Sequence, residues 1–214
     1  MSTAFHVPVF FDYLATFSWA LSGAIVALRK RLDVVGVFVL ALLTSVGGSI
    51  LRDGVFLQRT PPVLTDPVYL PLITLATLLI GLLRQRIADL KVVDKLVSTI
   101  DAIGTPAFAV VGMQLALGAG IPLPGVVLVG AVSGVGGGVL RDMIVREIPF
   151  ILQPGQFFSV VVVLACLVFL LLTLALDVAT LPAAWTTIAL FFMIRSLTIR
   201  YNWQTRPVLR EPGA

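Results

Sequence analysis

Two Arg-Asp dipeptides, Arg52-Asp53 and Arg141-Asp142, stand 89 residues apart in a chain otherwise poor in charge. Each arginine follows the first residue of a glycine pair, Gly47-Gly48 or Gly136-Gly137, by five residues, about 7.5 Å along a helix axis. The second glycine cluster is larger, with Gly134 and Gly138 beside the pair. Ionisable groups at membrane depth usually face a cavity or a partner, so these charges are candidates to line the vestibules of an ion path or to gate it. The alternative is that each arginine snorkels and each aspartate offsets its charge at a helix end.

Glycine lacks a Cβ and costs about 1 kcal/mol in a helix interior relative to alanine, so clusters of it predict breaks. Backbone N–H and C=O groups freed in hydrocarbon cost several kcal/mol each and survive only where protein or water satisfies them. Small residues also let helices pack closely. Double and triple glycines at corresponding positions favour the first reading, one hydrated cavity between two broken helices. Catalysis is harder to assemble from one histidine, one cysteine and two glutamates, Glu147 and Glu211. No HExxH, GxSxG or P-loop pattern is present, and no enzyme is expected. Cys166 reads as a small apolar core residue, His6 as a solvated group in the N-terminal tail, and no metal site is expected.

The elements that carry these residues follow from composition. Of 214 residues, 58% are hydrophobic and 12% charged, against about 25% charged in an ordinary soluble domain. At about 20 apolar residues per crossing, the chain supplies six or seven membrane helices and no separate soluble domain. Nothing basic precedes the first apolar stretch, so no cleaved signal peptide is expected. Charge-free runs at residues 13–28, 34–51 and 67–83 are three spans. The 39 uncharged residues between Asp101 and Arg141 make two, broken near Gly118, Gly120, Pro122, Pro124 and Gly125. Residues 157–176 and 183–199 bring the total to seven. Twelve Lys and Arg fall on one face against Arg52 and Arg59 on the other, with Arg195 inside the last helix. That split places the N-terminus outside and the C-terminus in the cytoplasm, and it removes any need for nucleic acid to explain a net charge of +4. Arg195 either pairs with an intramembrane carboxylate or snorkels, and snorkelling is the favoured reading.

A shift of 89 residues aligns Asp12, Thr16, Ala20, Gly23, Ala27 and Leu28 with Asp101, Thr105, Ala109, Gly112, Ala116 and Leu117. It also aligns the stretch from Gly36 to Asp53 with that from Gly125 to Asp142, at eight identical positions of eighteen. After the second copy loses two residues, Arg59, Pro62 and Pro67 meet Arg146, Pro149 and Pro154. Three helices per copy is an odd number, so the second copy enters the membrane from the opposite side. The expected architecture is an all-α integral membrane protein, one domain over 1–214. Repeat one covers about residues 10–86, repeat two about 98–177, and a lone seventh helix about 181–200. Residues 87–101 carry Ile87, Leu90, Val93, Val97 and Ile100 at helical spacing and read as an amphipathic lead into helix 4. Asp12 and Asp101 read as caps of helices 1 and 4.

Two three-helix repeats with Gly47-Gly48 through Arg52-Asp53 in one, Gly136-Gly137 through Arg141-Asp142 in the other, and a seventh helix resemble the trimeric intracellular cation channel family over nearly the whole chain. The resemblance implies a homotrimer whose protomers each hold a pore, lined by kinked helices 2 and 5, for monovalent cations and chiefly potassium. No cofactor is implied; the permeant K+ or Na+ and membrane lipid are the ligands it calls for. Animal members carry a Lys-Glu-Val motif with phosphoinositide and calcium regulation; that motif is missing here, so the regulation is not carried over. A prokaryotic member implies the plasma membrane. Arginines beside a cation path run against charge, and backbone carbonyls, neutralisation by Asp53 and Asp142, or an arginine gate are the open answers. The rivals are a secondary transporter of a small solute such as the amino acid glycine, since inverted repeats suit carriers equally well, and a pore-free membrane scaffold.

Overall fold

The computed structural model describes residues 9–84, 90–153, 157–201 and 203, without the side chains of residues 90–92. His6, Arg86, Ile87, Pro154, Arg206, Arg210 and Glu211 lie outside the described residues. The described chain forms seven α-helices: α1 Phe10–Arg29, α2 Val34–Ile50, α3 Tyr69–Leu83, α4 Leu90–Gly118, α5 Leu123–Ile144, α6 Phe158–Leu170 and α7 Thr180–Arg200. A π-helical turn continues α2 over Leu51–Phe56, and another continues α6 over Leu171–Ala175. Six of these helical units are long and apolar enough to cross a membrane, while α3, at 15 residues, is shorter.

The helix ends repeat with the sequence. Beyond α1, Arg31 takes a left-handed backbone at φ 57°, and beyond α4, 89 residues later, Gly120 does so at φ 73°. In each case the next amide reaches back to close the turn, Leu32 N to Ala27 O and Ile121 N to Ala116 O, both at 3.1 Å. The following helices open differently: the Asp33 side chain accepts from Gly36 N at 2.7 Å, whereas α5 starts behind Pro122 with Pro124 in its first turn.

Packing completes the inverted repeat. Within the first copy α1 packs on α2 and α3, and within the second α4 packs on α5 and α6; across the copies α1 lies on α4 and α2 crosses α5. The seventh helix fills the side of α4 and α6. Aromatic and aliphatic side chains such as Phe11, Trp19, Phe108, Met113 and Phe169 form the core, while Leu70, Leu78 and Leu82 of α3 and Val160, Leu164 and Leu167 of α6 stay exposed. Large apolar side chains exposed in this number along two helices suit hydrocarbon or another apolar face.

The sequence-based expectation is corrected at one boundary. The amphipathic lead and helix 4 are one continuous helix from Leu90. Asp101 therefore lies inside α4, where all backbone N–H groups are already bonded and a cap has nothing to satisfy. Asp12 falls in the first turn of α1, but Val9 occupies the cap position.

Candidate functional site

The glycine clusters sit where α2 crosses α5. A Cβ placed on Gly48 would stand 2.2 Å from Ser133 O, and one on Gly137 2.1 Å from Thr44 O. Gly136 faces the Cα of Gly48, and Gly47 faces Leu140. Gly134 faces Thr105 O of α4, and Gly138 faces the Trp19 ring of α1. The expected break is thus corrected. The backbone stays helical through Gly47, Gly48, Gly134, Gly136, Gly137 and Gly138, and the missing side chains are used for backbone contact between helices instead. The reason is energetic: unwinding frees polar backbone groups that need a partner, whereas close approach keeps every helical hydrogen bond.

At the Arg-Asp dipeptides the helix geometry departs from α only in α2, in the π-helical turn that carries Arg52 and Asp53, while α5 stays α-helical through Arg141 and Asp142. Five residues separate Asp53 from Arg59, against three between Asp142 and Arg146. A π turn takes up extra chain within a helix. It brings Arg59 Nε to 3.0 Å from Asp53 Oδ1.

At that end, Arg52 is fully buried. Its Nε and Nη2 donate to the two oxygens of Asp53 at 2.9 and 2.7 Å, and its Nη1 donates to Asp12 Oδ1 at 3.2 Å. The Tyr69 hydroxyl donates to the other oxygen of Asp12. Nearby, Tyr13 donates to Asp66, and that hydrogen bond with the Val68 amide holds the Asp66 carboxyl below the ordinary carboxylate value.

The other end is built from matching residues. Arg141 Nε donates to Asp142 Oδ1 at 2.8 Å, and Nη1 reaches Asp101 at 3.1 and 3.2 Å. Ser22 joins them, accepting from Arg141 and donating to Asp101 Oδ1 at 2.6 Å. The Arg141 guanidinium also lies over the Trp19 ring, 5.6 Å from its centroid. Neither arginine snorkels: each is locked between two carboxylates, which offsets part of the large cost of removing the charge from water.

A cavity of about 380 Å³ opens beside the second cluster, with Asp101, Asp142, Phe150, Phe158 and Arg195 in its walls. Its rim carries an ion network. Arg29 pairs with Asp94 at 2.5 Å and Glu147 at 2.9 Å, and Lys30 pairs with Glu147 at 2.6 Å. Burial pushes the Glu147 carboxyl up, but the Lys30 hydrogen bond and the Arg29 and Lys30 charges outweigh it and hold the group below its ordinary value. Arg195 corrects a second expectation. It is buried rather than snorkelling, with its guanidinium 4.9 and 5.5 Å from the ring centroids of Phe158 and Phe150 and Nη1 3.2 Å from Thr198 Oγ1. A delocalised, weakly hydrated cation between aromatic faces tolerates this setting better than an ammonium would.

Asp12, Asp101, Ser22, Trp19 and Tyr69 are thus site residues beyond those singled out by type. The signal for the two aspartates was present, because the 89-residue shift that pairs the arginines also pairs them. Among the described residues, no group of three or more His, Cys, Asp or Glu could hold a metal ion.

The family model described as "Glycine transporter" matches the chain twice, at residues 9–85 and 98–173. The two matches begin 89 residues apart. The chain belongs to this family, the family of the trimeric intracellular cation (TRIC) channels. A Deinococcus radiodurans UPF0126 membrane protein is 38% identical over 64% of the chain, and the alignment spans 63% of that relative, just under two thirds of its length. A TRIC cation channel whose structure was solved to explain conductance superposes with a TM-score of 0.82 at 30% identity, covering 97% of this chain and 100% of its own. A prokaryotic TRIC channel crystallised in potassium chloride gives 0.80 at 27% identity, over 90% and 95%. The fold is that of cation channels and the protein is a multi-pass membrane protein.

Proposed function

We propose that the chain conducts monovalent cations, chiefly potassium, through a path inside each protomer of a homotrimer in the plasma membrane. The path follows the α2/α5 crossing. It begins in the 380 Å³ cavity, passes the Asp101–Arg141–Asp142 cluster and the glycine contact, and leaves past Asp12, Arg52 and Asp53. The observation that carries this reading is the cavity itself: a vestibule of about 380 Å³, roomy enough for several waters, whose wall presents the carboxylates of Asp101 and Asp142. Such groups raise the local concentration of cations. The paired arginines then act as plugs, each neutralised at rest by its aspartates. The basic excess at the vestibule face supports a cytoplasmic location for it, with the N-terminus outside. No catalytic role is proposed. The trimer comes from the names of the TRIC neighbours, and the exposed apolar faces of the helices are compatible with it.

Single-channel recording in planar bilayers tests the reading. Discrete unitary potassium currents from purified protein support it, and their absence at high protein density overturns it. A second reading has its own observation: the family description, together with carboxylates and Arg195 in one cavity, suits a zwitterionic amino acid. Saturable glycine uptake into proteoliposomes without unitary current supports that carrier.

A further inference from the structure

The Trp19 indole, on α1, is wedged between α4 and α5 where the vestibule ends. Next to the vestibule, and sharing with it the walls Asp101, Asp142, Phe150 and Phe158, lies a small void of about 10 Å³ lined also by Trp19 and Gly138. Behind the ring comes the crossing, since a Cβ on Gly137 would stand 3.7 Å from Trp19 Cδ2. The indole occupies a slot cut by two glycines: a Cβ on Gly104 would lie 2.9 Å from its Nε1, and one on Gly138 would lie 2.8 Å from its Cη2. The repeat shows that this slot is specific to one end. At the positions related by 89 residues, Trp19 corresponds to Phe108, Gly104 to Ala15 and Gly138 to Ser49. The larger ring goes with the smaller partners.

Two features set the seated ring apart. Its N–H is buried without a hydrogen-bond partner among the described residues, an arrangement that tryptophan rarely keeps in a core. Its face is held by the Arg141 guanidinium, which is itself held by Asp101, Asp142 and Ser22.

We propose that Trp19 is the moving barrier of the path: seated between Gly104 and Gly138 it separates the vestibule from the glycine crossing, and it leaves the slot when a cation at Asp101 and Asp142 draws those carboxylates from Arg141. The displaced ring places its N–H in water and opens the way to the crossing. Only one end of the molecule carries this barrier.

This rests on the permeation reading, and the test separates the two. In full-length protein with Cys166→Ala, Leu51→Cys places a thiol at the crossing, against Gly136 and beyond the ring, where a charged maleimide added at the vestibule side reports access without any ion current. The thiol is slow to react with Trp19 present and reacts at least tenfold faster with Trp19→Ala or Gly138→Ala, the latter displacing the ring without creating a void. In bilayers, Trp19→Phe keeps the plug and removes the buried N–H, so open probability falls about tenfold. Unchanged thiol reactivity in a folded Gly138→Ala protein, or a Trp19→Phe open probability at or above the parent's, overturns the barrier. Absence of unitary current in the parent overturns the channel reading alone, because the thiol measurement still stands.

Discussion

Asp12 and Arg52 meet at 3.2 Å across 40 residues of sequence, and the same separation of 40 joins Asp101 to Arg141. One spacing, used twice in opposite orientations, sets a buried cation between two carboxylates on each side of the glycine crossing. Removing one carboxylate leaves a guanidinium short of a partner in a low-dielectric setting, and breaking a buried pair in this way costs about 3–5 kcal/mol. Asp101→Asn therefore lowers thermal stability in detergent markedly. Asp101→Leu combined with Arg141→Met and Asp142→Leu recovers most of the loss, because no member of the cluster is left charged without a partner. Circular dichroism melts of the parent, the single and the triple variant check this; equal losses for the single and triple variants would show that packing, not charge, decides.

The glycines predict a contrast. An alanine methyl at Gly48 or Gly137 would stand 2.2 or 2.1 Å from a backbone carbonyl of the facing helix, and backbone cannot rotate away as a side chain can. Relief requires α2 and α5 to separate, so Gly48→Ala and Gly137→Ala cost about 1–3 kcal/mol as overpacking. Gly54 and Gly81 have nothing within 4 Å of such a methyl, and alanine there leaves the melting temperature near the parent's. Leucine at Gly48 or Gly137 impairs ion flux as well as stability, and the four melts with tracer flux assign the clusters to crossing or to surface.

How much of this was legible in the sequence depends on the range of the contact. Helix number, the inverted repeat and the Arg-Asp dipeptides rest on local hydropathy and on matched positions, and both are readable along the chain. The use of the glycines was not. Whether Gly48 unwinds or packs depends on whether a facing backbone, here at Ser133, offers a contact, and that is a property of the assembled helices. Asp101 was misread as a cap because its partner Arg141 lies 40 residues away and the helix around it starts at Leu90. Arg195 was misread as snorkelling because Phe150 and Phe158, on another part of the chain, supply the faces that hold it.

The rim predicts a pH response. In the folded protein Glu147 is held below its ordinary value of 4.5, with burial opposing and Lys30 and Arg29 winning. A carboxyl with a depressed folded value contributes stability that is fully present above its unfolded value and is lost as pH falls through the folded one. Stability is therefore insensitive to this group at neutral pH and declines below about pH 4.5 as the pairs to Arg29 and Lys30 break. Glu147→Gln lacks that acid limb while keeping the remainder of the profile. Melts between pH 3 and 7 give the comparison, and a variant profile parallel to the parent's over the acid limb would remove Glu147 from the account.

Arg195 adds a prediction about charge in the vestibule. Its guanidinium shares the cavity wall with Asp101 and Asp142, so it lowers the attraction that those carboxylates exert on a permeating cation. Arg195→Met removes one positive charge while keeping an unbranched chain against Phe150 and Phe158, and unitary potassium conductance rises by about twofold or more at low salt. The gain shrinks at high ionic strength, where screening over a few ångströms weakens fixed charges. Arg195→Lys keeps the charge but loses the planar stack on the two rings; its conductance stays near the parent's while its stability drops by about 1 kcal/mol. Recordings at two salt concentrations, with melts of the same preparations, separate the two roles: a Met variant whose conductance is unchanged at low salt would mean that cations do not pass this wall.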